Sequence, residues 1–232
     1  MSRREELGRR LEAVEKRLAG ACAAAGRHRA EVTLVAVTKT FPASDVRLLA
    51  ELGVRDVGES RDQEAAGKAA ACSDLSLRWH FVGQLQRNKA RSVATYAAAV
   101  HSVDRPQLVS ALDRAADAAG RSLDTLIQLD LDPHPQPGRG GAPPDGLAAL
   151  ADALDAAVQL RLVGLMAVAP AGADPAPAFA RLAELAAALR RDHPGARWLS
   201  AGMSGDLEAA VAAGATHVRV GGALLGTRPP LR

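Results

Sequence analysis

The chain has 232 residues, of which 48% are hydrophobic and 3% aromatic, and its formal net charge at pH 7 is +3. This length suits one sizeable core, and no apolar run approaches the about 20 residues that a membrane span needs. The charge is not gathered into a basic block and few aromatics are available to stack on bases, so the composition disfavours both a membrane protein and a nucleic-acid-binding protein.

The N-terminus and the cysteines indicate where the protein works. Charged residues after Met1 continue into a mixed-charge helix without the apolar segment of a signal peptide. Cys22 and Cys72 are far apart and have no histidines at metal-binding spacing. We therefore expect a cytoplasmic protein with reduced thiols, no disulfide and no metal site.

Helix and strand patterns alternate along the chain in order. An amphipathic helix is predicted over residues 3–25, and later helices over 45–52, 61–71, from 104 onward, up to 159 and over 178–191. Ser44 and Asp104 are predicted helix caps, Gly53 a helix stop, and 132–146 a long proline- and glycine-rich loop. Strands are predicted over 32–40, 55–57, 78–82, 97–101, 123–131, 161–166, 196–200 and 217–220.

This alternation predicts the fold class. Eight strands separated by helices favour parallel pairing with right-handed crossovers and closure into a (β/α)8 TIM barrel with an extra N-terminal helix. Residues 1–232 would form a single domain, and the alternative architecture is an open doubly wound sheet.

The first strand contains the first candidate for chemistry. Its apolar run ends in Lys39, which strand alternation places on the same face as Val35 and Val37. An ammonium on a buried face is costly unless a counter-ion, a ligand or a shifted pKa relieves it. The alternative is that Lys39 simply reaches water where the strand surfaces.

Small residues follow the last two strands, where barrels often bind phosphate. Ser200-Ala201-Gly202-Met203-Ser204 follows the seventh strand, and Gly221-Gly222 follows the eighth. Each loop alone could be an ordinary tight turn, but together they predict one anion site made by backbone N–H groups.

Two polar residues lie within the predicted strands. Arg219 is either an inward cation beside the anion site or half of an ion pair with an inward carboxylate, and His80 is interpreted as a hydrogen-bonded core residue. A lysine, a phosphate site and an arginine around one mouth suggest a phosphorylated aldehyde, and pyridoxal 5′-phosphate (PLP) fits because lysine can form its Schiff base.

The sequence resembles the pyridoxal phosphate homeostasis proteins, single-domain relatives of the alanine racemase N-terminal barrel. The resemblance lies in motifs that run in order along most of the chain: AVTK at 36–39, GES at 58–60, WHFVGQLQRNK at 79–89, GLMA at 164–167, SAGMS at 200–204, and VRVG at 218–221 continuing to GTR at 226–228.

The resemblance implies a set of cofactor-binding residues and no catalytic ones. Lys39 would hold PLP covalently and Arg219 would face the pyridine nitrogen, where a permanent cation makes the ring a weak electron sink. The phosphate would lie near Ser200, Met203, Ser204, Gly221 and Gly222, and the remaining cofactor-binding residues would be Ser60 and Met166.

This chain departs from the family pattern at three places. Ser60 stands where the family usually has Asn, so one polar contact to the cofactor is expected to be shortened or lost. Ala201 replaces a usual Met, which we expect to affect packing only. Arg139-Gly140 is the nearest equivalent of a usual lysine–glycine pair in the loop after the fifth strand.

Three functions are compatible with these residues. The first is a monomeric PLP carrier that takes part in vitamin B6 homeostasis and passes the cofactor to apo-enzymes. The second is a PLP-dependent amino-acid racemase, which would need a second base besides Lys39; the single tyrosine, Tyr96, is near the wrong end of its strand, and we expect no further domain. The third is a phosphosugar-binding barrel enzyme that uses Lys39 as an aldolase-type base.

Overall fold

The computed structural model describes residues 1–134, 138 and 140–227, and in these residues eight parallel strands form a closed barrel in chain order. This confirms the predicted (β/α)8 barrel and excludes the open sheet. The strands are β1 (Thr33–Val37), β2 (Asp56–Glu59), β3 (Arg78–Phe81), β4 (Ala99–Val103), β5 (Leu123–Leu129), β6 (Leu160–Ala167), β7 (Trp198–Ser200) and β8 (His217–Val220).

Helices cover the outside of the barrel. They are α1 (Arg3–Ala24), α2 (Ala43–Glu51), α3 (Asp62–Ala71), α4 (Ala90–Tyr96), α5 (Pro106–Ala118), α6 (Leu147–Asp155), α7 (Pro175–Asp192), α8 (Leu207–Ala212) and the single turn α9 (Gly222–Leu225). No helix in this part of the chain has the length and apolar character to cross a bilayer.

The extra N-terminal helix, α1, covers the outside of the barrel next to α8 and α9. Ser2 and Glu5 form a capping box at the start of α1, which satisfies its first N–H groups. Leu7, Val14 and Leu18 are buried on its inner face, and α1 packs against α8 and α9. The predicted helix over 3–25 is therefore confirmed within one residue.

Strand alternation separates two buried layers. Leu34 and Ala36 of β1 join the large apolar cluster between the sheet and its helices. Val35 and Val37 point to the other face, because both contact the position that a Cβ on Gly58 would occupy. Apolar side chains therefore hold the helices to the barrel, while the interior carries the polar groups described below.

Several boundaries differ from the sequence-based predictions. β1 ends at Val37, so Lys39 lies in the turn after the strand. β4 starts two residues later than predicted, at Ala99. Pro42 rather than Ser44 is the N-cap of α2, because the helix already begins at Ala43.

The predicted cap of α5 is also wrong. Arg105 is the N-cap residue, while Asp104 forms an ion pair with the Arg105 side chain. Pro106 starts the helix as expected. In the 132–146 loop, residues 144–146 form a 3₁₀ turn and Ala142 bridges to Leu129.

Gly164 permits the close approach of β6 and β7, and its replacement should be costly. Its φ is +158°, and a Cβ there would lie 1.8 Å from the carbonyl oxygen of Trp198, a backbone atom that cannot easily move. We expect Gly164→Ala to lower the free energy of unfolding by about 3 kcal/mol, measured by urea denaturation.

Gly67→Ala is the matched control, because a Cβ on this α3 glycine meets nothing within 4 Å. Alanine in a helix interior should raise the free energy of unfolding by about 0.5–1 kcal/mol. A Gly164→Ala protein with unchanged stability would contradict the close approach of β6 and β7.

Candidate functional site at the C-terminal mouth of the barrel

The turn after β1 lies beside the loop after β8. The two strands are neighbours in the barrel, with Ala36 paired to Val220. A Cβ on Gly221 would lie 3.2 Å from the carbonyl oxygen of Val37, so this glycine lies against the residue two positions before Lys39. Lys39 itself is half-buried.

A buried ionic cluster holds the start of the Lys39 turn from outside the barrel. The Thr38 hydroxyl donates to Glu59 Oε1 at 2.6 Å, and Lys68 Nζ donates to Glu59 Oε1 and to the Thr38 carbonyl, both at 2.7 Å. Burial raises the pKa of Glu59, although the Lys68 ammonium and the Thr38 hydroxyl act in the opposite direction.

The same cluster holds the end of the turn. The backbone N–H of Thr40 donates to Glu64, which also accepts from Lys68. Thr40 has a φ of +71°, which is uncommon for a residue other than glycine and lets the chain reverse sharply after Lys39. The backbone of Lys39 is therefore fixed on both sides by contacts to α3.

The loops after β7 and β8 are connected to each other and present backbone donors. Ser204 Oγ accepts from the Ala223 N–H at 3.3 Å. Across the residues that the structure describes, the N–H groups of Gly221 and Gly222 donate to no protein acceptor. Met203 lies in the same loop with 38% of its surface exposed. The predicted anion site thus has two connected loops and unpaired donors.

Helix α1 supports this pair of loops from behind. Arg17 donates to the Ser204 carbonyl at 3.0 Å and forms a two-pronged ion pair with Glu208 of α8 at 2.9 Å. The extra N-terminal helix therefore positions one wall of the mouth as well as covering apolar surface.

Arg219 points into the barrel and is 5% exposed. Its Nη1 donates to Ser200 Oγ at 2.7 Å and its Nη2 to the Ala167 carbonyl at 3.0 Å. Among the described residues no carboxylate lies within ion-pair distance of it, so the alternative of an inward ion pair is wrong. Burial lowers the pKa of Arg219 to about 10, and the guanidinium remains a cation at neutral pH.

Ser200 is fully buried, and its hydroxyl is engaged inside the barrel. Its Oγ lies 2.9 Å from His101 Nδ1 and accepts from Arg219. This arrangement favours a role for the Ser200 side chain beside Arg219 over a direct contact to phosphate.

Ser60 and Met166 border the mouth on other strands. Ser60 follows β2 and lines a cavity of about 340 Å³ together with Gln84 and Lys89. A Cβ on Gly83 would lie 2.2 Å from the Ser60 carbonyl, so the loop after β3 supports the Ser60 backbone. Met166 is buried in β6 between its partners on β5 and β7.

Two of the predicted polar residues lie away from the mouth. His80 is buried and hydrogen-bonded to Asp56 and His101, as expected for a core histidine. Tyr96 ends α4, and its hydroxyl donates to Asp62 at 3.4 Å. Arg139 and Arg228 lie outside the described residues.

The residues predicted from the sequence lie on or after five neighbouring strands, β6, β7, β8, β1 and β2. Two further groups of the site are not predicted. The first is the cluster of Glu59, Glu64 and Lys68, for which the i,i+4 spacing of Glu64 and Lys68 was an available signal. The second is His101, whose position two residues beyond Ala99 on an inward face became evident only from the register of β4.

Comparison with known proteins supports the fold. The family described as "Alanine racemase, N-terminal domain" matches residues 10–229. The fold and the sequence match therefore define the chain as a barrel of the alanine racemase N-terminal class.

Similar proteins of known family show to which family within this class the chain belongs. A pyridoxal phosphate homeostasis protein from Mycobacterium leprae (strain TN) is 46% identical and covers 97% of this chain and 93% of its own length. A protein of the same name from Escherichia coli (strain K12) is 37% identical, with 96% and 97% covered. The chain belongs to the pyridoxal phosphate homeostasis protein family.

A solved structure of similar fold was determined with its ligand. The structure of PipY from Synechococcus elongatus PCC7942 with PLP bound has a TM-score of 0.83 to this chain and is 37% identical to it. The match covers 95% of this chain and all of PipY.

Proposed function

We propose that this protein binds PLP as a Schiff base with Lys39 and takes part in vitamin B6 homeostasis in the cytoplasm, without catalytic turnover. The observation that carries the proposal is the contact of Gly221 with Val37, which sets the unpaired donors after β8 beside the turn that bears Lys39. The names of the relatives and the PLP-bound PipY structure support the same ligand.

The residues at the mouth fit this cofactor. When bound, PLP supplies an electrophilic aldehyde and an electron-withdrawing ring. Lys39 would hold the aldehyde carbon, and Arg219, a buried cation without a carboxylate partner, has N–H groups left for the ring nitrogen. The phosphate would be bound by the residues of the two connected loops, namely Met203, Ser204, Gly221 and Gly222, while Ser60 and Met166 would border the ring.

A racemase is the second candidate, favoured by the family match alone. Two features support a carrier instead. Arg219 beside the ring nitrogen would discourage its protonation and weaken the ring as an electron sink. Tyr96, the single tyrosine of the chain, is hydrogen-bonded to Asp62 behind the sheet. Loss of α-deuterium from labelled alanine at the rate of a dedicated racemase would overturn the carrier proposal.

The direct test is loading with PLP followed by borohydride reduction. We expect a yellow protein whose adduct maps, after reduction and digestion, to Lys39 among the four lysines of the chain. The loaded protein, expected to be a monomer, should restore activity to an apo-enzyme that requires PLP. The absence of any coloured, reducible species would favour the phosphosugar-binding alternative.

A ligand without the phosphate should test whether the connected loops bind phosphate, independently of the bond to Lys39. Pyridoxal carries the same aldehyde without phosphate, and a hydrogen bond to a charged group contributes about 1.5–3 kcal/mol. With two such bonds lost, we expect pyridoxal to bind about 100-fold to 10,000-fold more weakly than PLP in an absorbance titration. Equal affinity for the two aldehydes would contradict the phosphate site.

A further inference from the structure

Four hydrogen bonds in series cross the interior of the barrel. Asp56 Oδ1 lies 2.9 Å from His80 Nε2, His80 Nδ1 lies 2.9 Å from His101 Nε2, and His101 Nδ1 lies 2.9 Å from Ser200 Oγ. Arg219 Nη1 then donates to Ser200 Oγ at 2.7 Å. We call this series, from Asp56 to Arg219, the interior relay.

The relay runs across the barrel and not along one strand. Its members come from β2, β3, β4, β7 and β8, and the step from His101 to Ser200 joins strands that are not neighbours. The histidines and the serine are each at most 1% exposed. Bulk water does not reach these groups, so each one depends on the next for its hydrogen bond.

When both imidazoles are neutral, the chemistry of the two ends fixes the direction of every hydrogen bond in the series. Arg219 can only donate, and the ionised Asp56 can only accept. With neutral imidazoles, His80 must donate from Nε2 to Asp56 and accept at Nδ1 from the Nε2–H of His101. His101 Nδ1 must then accept the hydroxyl hydrogen of Ser200, whose lone pair faces Arg219.

The neutral state of the central imidazole agrees with its surroundings. Burial lowers the pKa of His101 well below its usual value, and the nearby Arg219 cation acts in the same direction. Burial opposes ionisation of Asp56, but the hydrogen bond from His80 and the charges of nearby basic groups lower its pKa overall.

We propose that Asp56, His80 and His101 are positioning residues that orient the Ser200 hydroxyl so that its oxygen accepts from Arg219. Through the same hydrogen bonds, the Asp56 carboxylate provides the negative charge that Arg219 lacks among its immediate neighbours. The relay keeps the guanidinium in place while leaving its other N–H groups available at the mouth. The consequence for the ring nitrogen of PLP rests on the proposed function, but the hydrogen positions in the relay do not.

Other titratable groups face the relay and belong to its electrostatic surroundings. The His217 ring centroid lies 6.2 Å from that of His80 and 6.3 Å from that of His101. Arg78 Nη1 lies 3.6 Å from Asp56 Oδ1. Asp206 influences Arg219 from the loop after β7. None of these groups interrupts the four hydrogen bonds.

The first test uses the ligand-free protein and does not depend on PLP. Isotope-labelled histidine side chains report by NMR which ring nitrogen carries the hydrogen. We expect His80 and His101 to carry it on Nε2 near neutral pH. A His101 hydrogen on Nδ1 would reverse the direction of the relay and overturn the proposal.

The second test follows the absorption spectrum of the PLP-loaded protein against pH. His101→Phe removes the acceptor for Ser200, so Arg219 is held less firmly and the ring nitrogen protonates more easily. We expect the midpoint of the spectral change to rise by about one pH unit. His101→Asn can still accept from Ser200 and donate to His80, and should restore most of the wild-type midpoint.

The outcomes separate this inference from the proposed function. Unchanged midpoints in folded His101→Phe protein, checked by circular dichroism, would show a packing role only and overturn the inference. If His101→Phe does not fold, Asp56→Asn removes the charge at the far end with little change in shape, and an unchanged midpoint there has the same meaning. A wild-type protein that forms no coloured species would refute the proposed function, while the NMR result still decides the relay.

Discussion

Lys39→Ala should abolish the borohydride-stable attachment of PLP and weaken PLP binding by about 100-fold or more, which corresponds to about 3 kcal/mol. The variant removes the amine in the turn after β1 but leaves the phosphate loops and Arg219 intact. Absorbance titration measures the affinity, and mass spectrometry after reduction measures the attachment.

Two of the other three lysines, Lys68 and Lys16, are poor substitutes in the structure. Lys68 is 6% exposed, and its ammonium is already held by Thr38 and two glutamates on the outer face of the sheet. Lys16 is exposed on α1, and Lys16→Ala is the matched control that should bind like the wild type. A Lys39→Ala protein with wild-type affinity and a reducible adduct on another lysine would contradict the assignment.

Mild acid should destabilise the fold strongly because of two buried histidines. Burial lowers the pKa of His217 to about 3 and that of His101 well below 6.5. In the unfolded chain both rings bind protons below about pH 6.5, whereas in the folded protein they stay neutral. The stabilisation is therefore present above pH 6.5 and is lost as the pH falls.

The size of this loss follows from linkage. Well below pH 6.5 each group changes the free energy of unfolding by about 1.4 kcal/mol per pH unit, and by half of that at pH 6.5 itself, so two groups lower it by about 3 kcal/mol between pH 6.5 and 5. The raised pKa of Glu59 acts in the opposite sense, since this carboxylate is more easily accommodated as acid. Urea denaturation at the two pH values measures the difference.

His217→Gln provides the internal comparison. It removes one of the two groups, so the loss between pH 6.5 and 5 should fall by half, to about 1.5 kcal/mol. Stability that stays constant over this range in the wild type would contradict the assignment of neutral, buried rings to His101 and His217.

The barrel fold could be predicted from the sequence because each of its strands, helices and turns has a recognisable local pattern. The run at β1, the helix stop at Gly53 and the glycine pair after β8 each carry their own pattern, and strict alternation of strands and helices leaves few topologies. The sequence predicts Lys39 within the strand itself, because no local pattern indicates that Thr38 turns outward to Glu59 or that Thr40 adopts a positive φ.

The interior of the barrel was much less predictable. The sequence predicts that His80 is a hydrogen-bonded core histidine, and the structure confirms the hydrogen bonding and identifies its partners as Asp56 and His101. His101 and Ser200 belong to strands that are not neighbours, and their contact depends on the register of the whole barrel. No spacing along the chain encodes such a contact, although polar residues at inward positions of several strands are a signal that a polar interior exists.

The most direct test of the account is a crystal structure of this protein with PLP. The account predicts that the aldehyde carbon is bonded to Lys39 Nζ and that the phosphate lies within about 3 Å of the N–H groups of Gly221 and Gly222. A phosphate bound away from these glycines, or a Lys39 amine that does not reach the aldehyde, would contradict it.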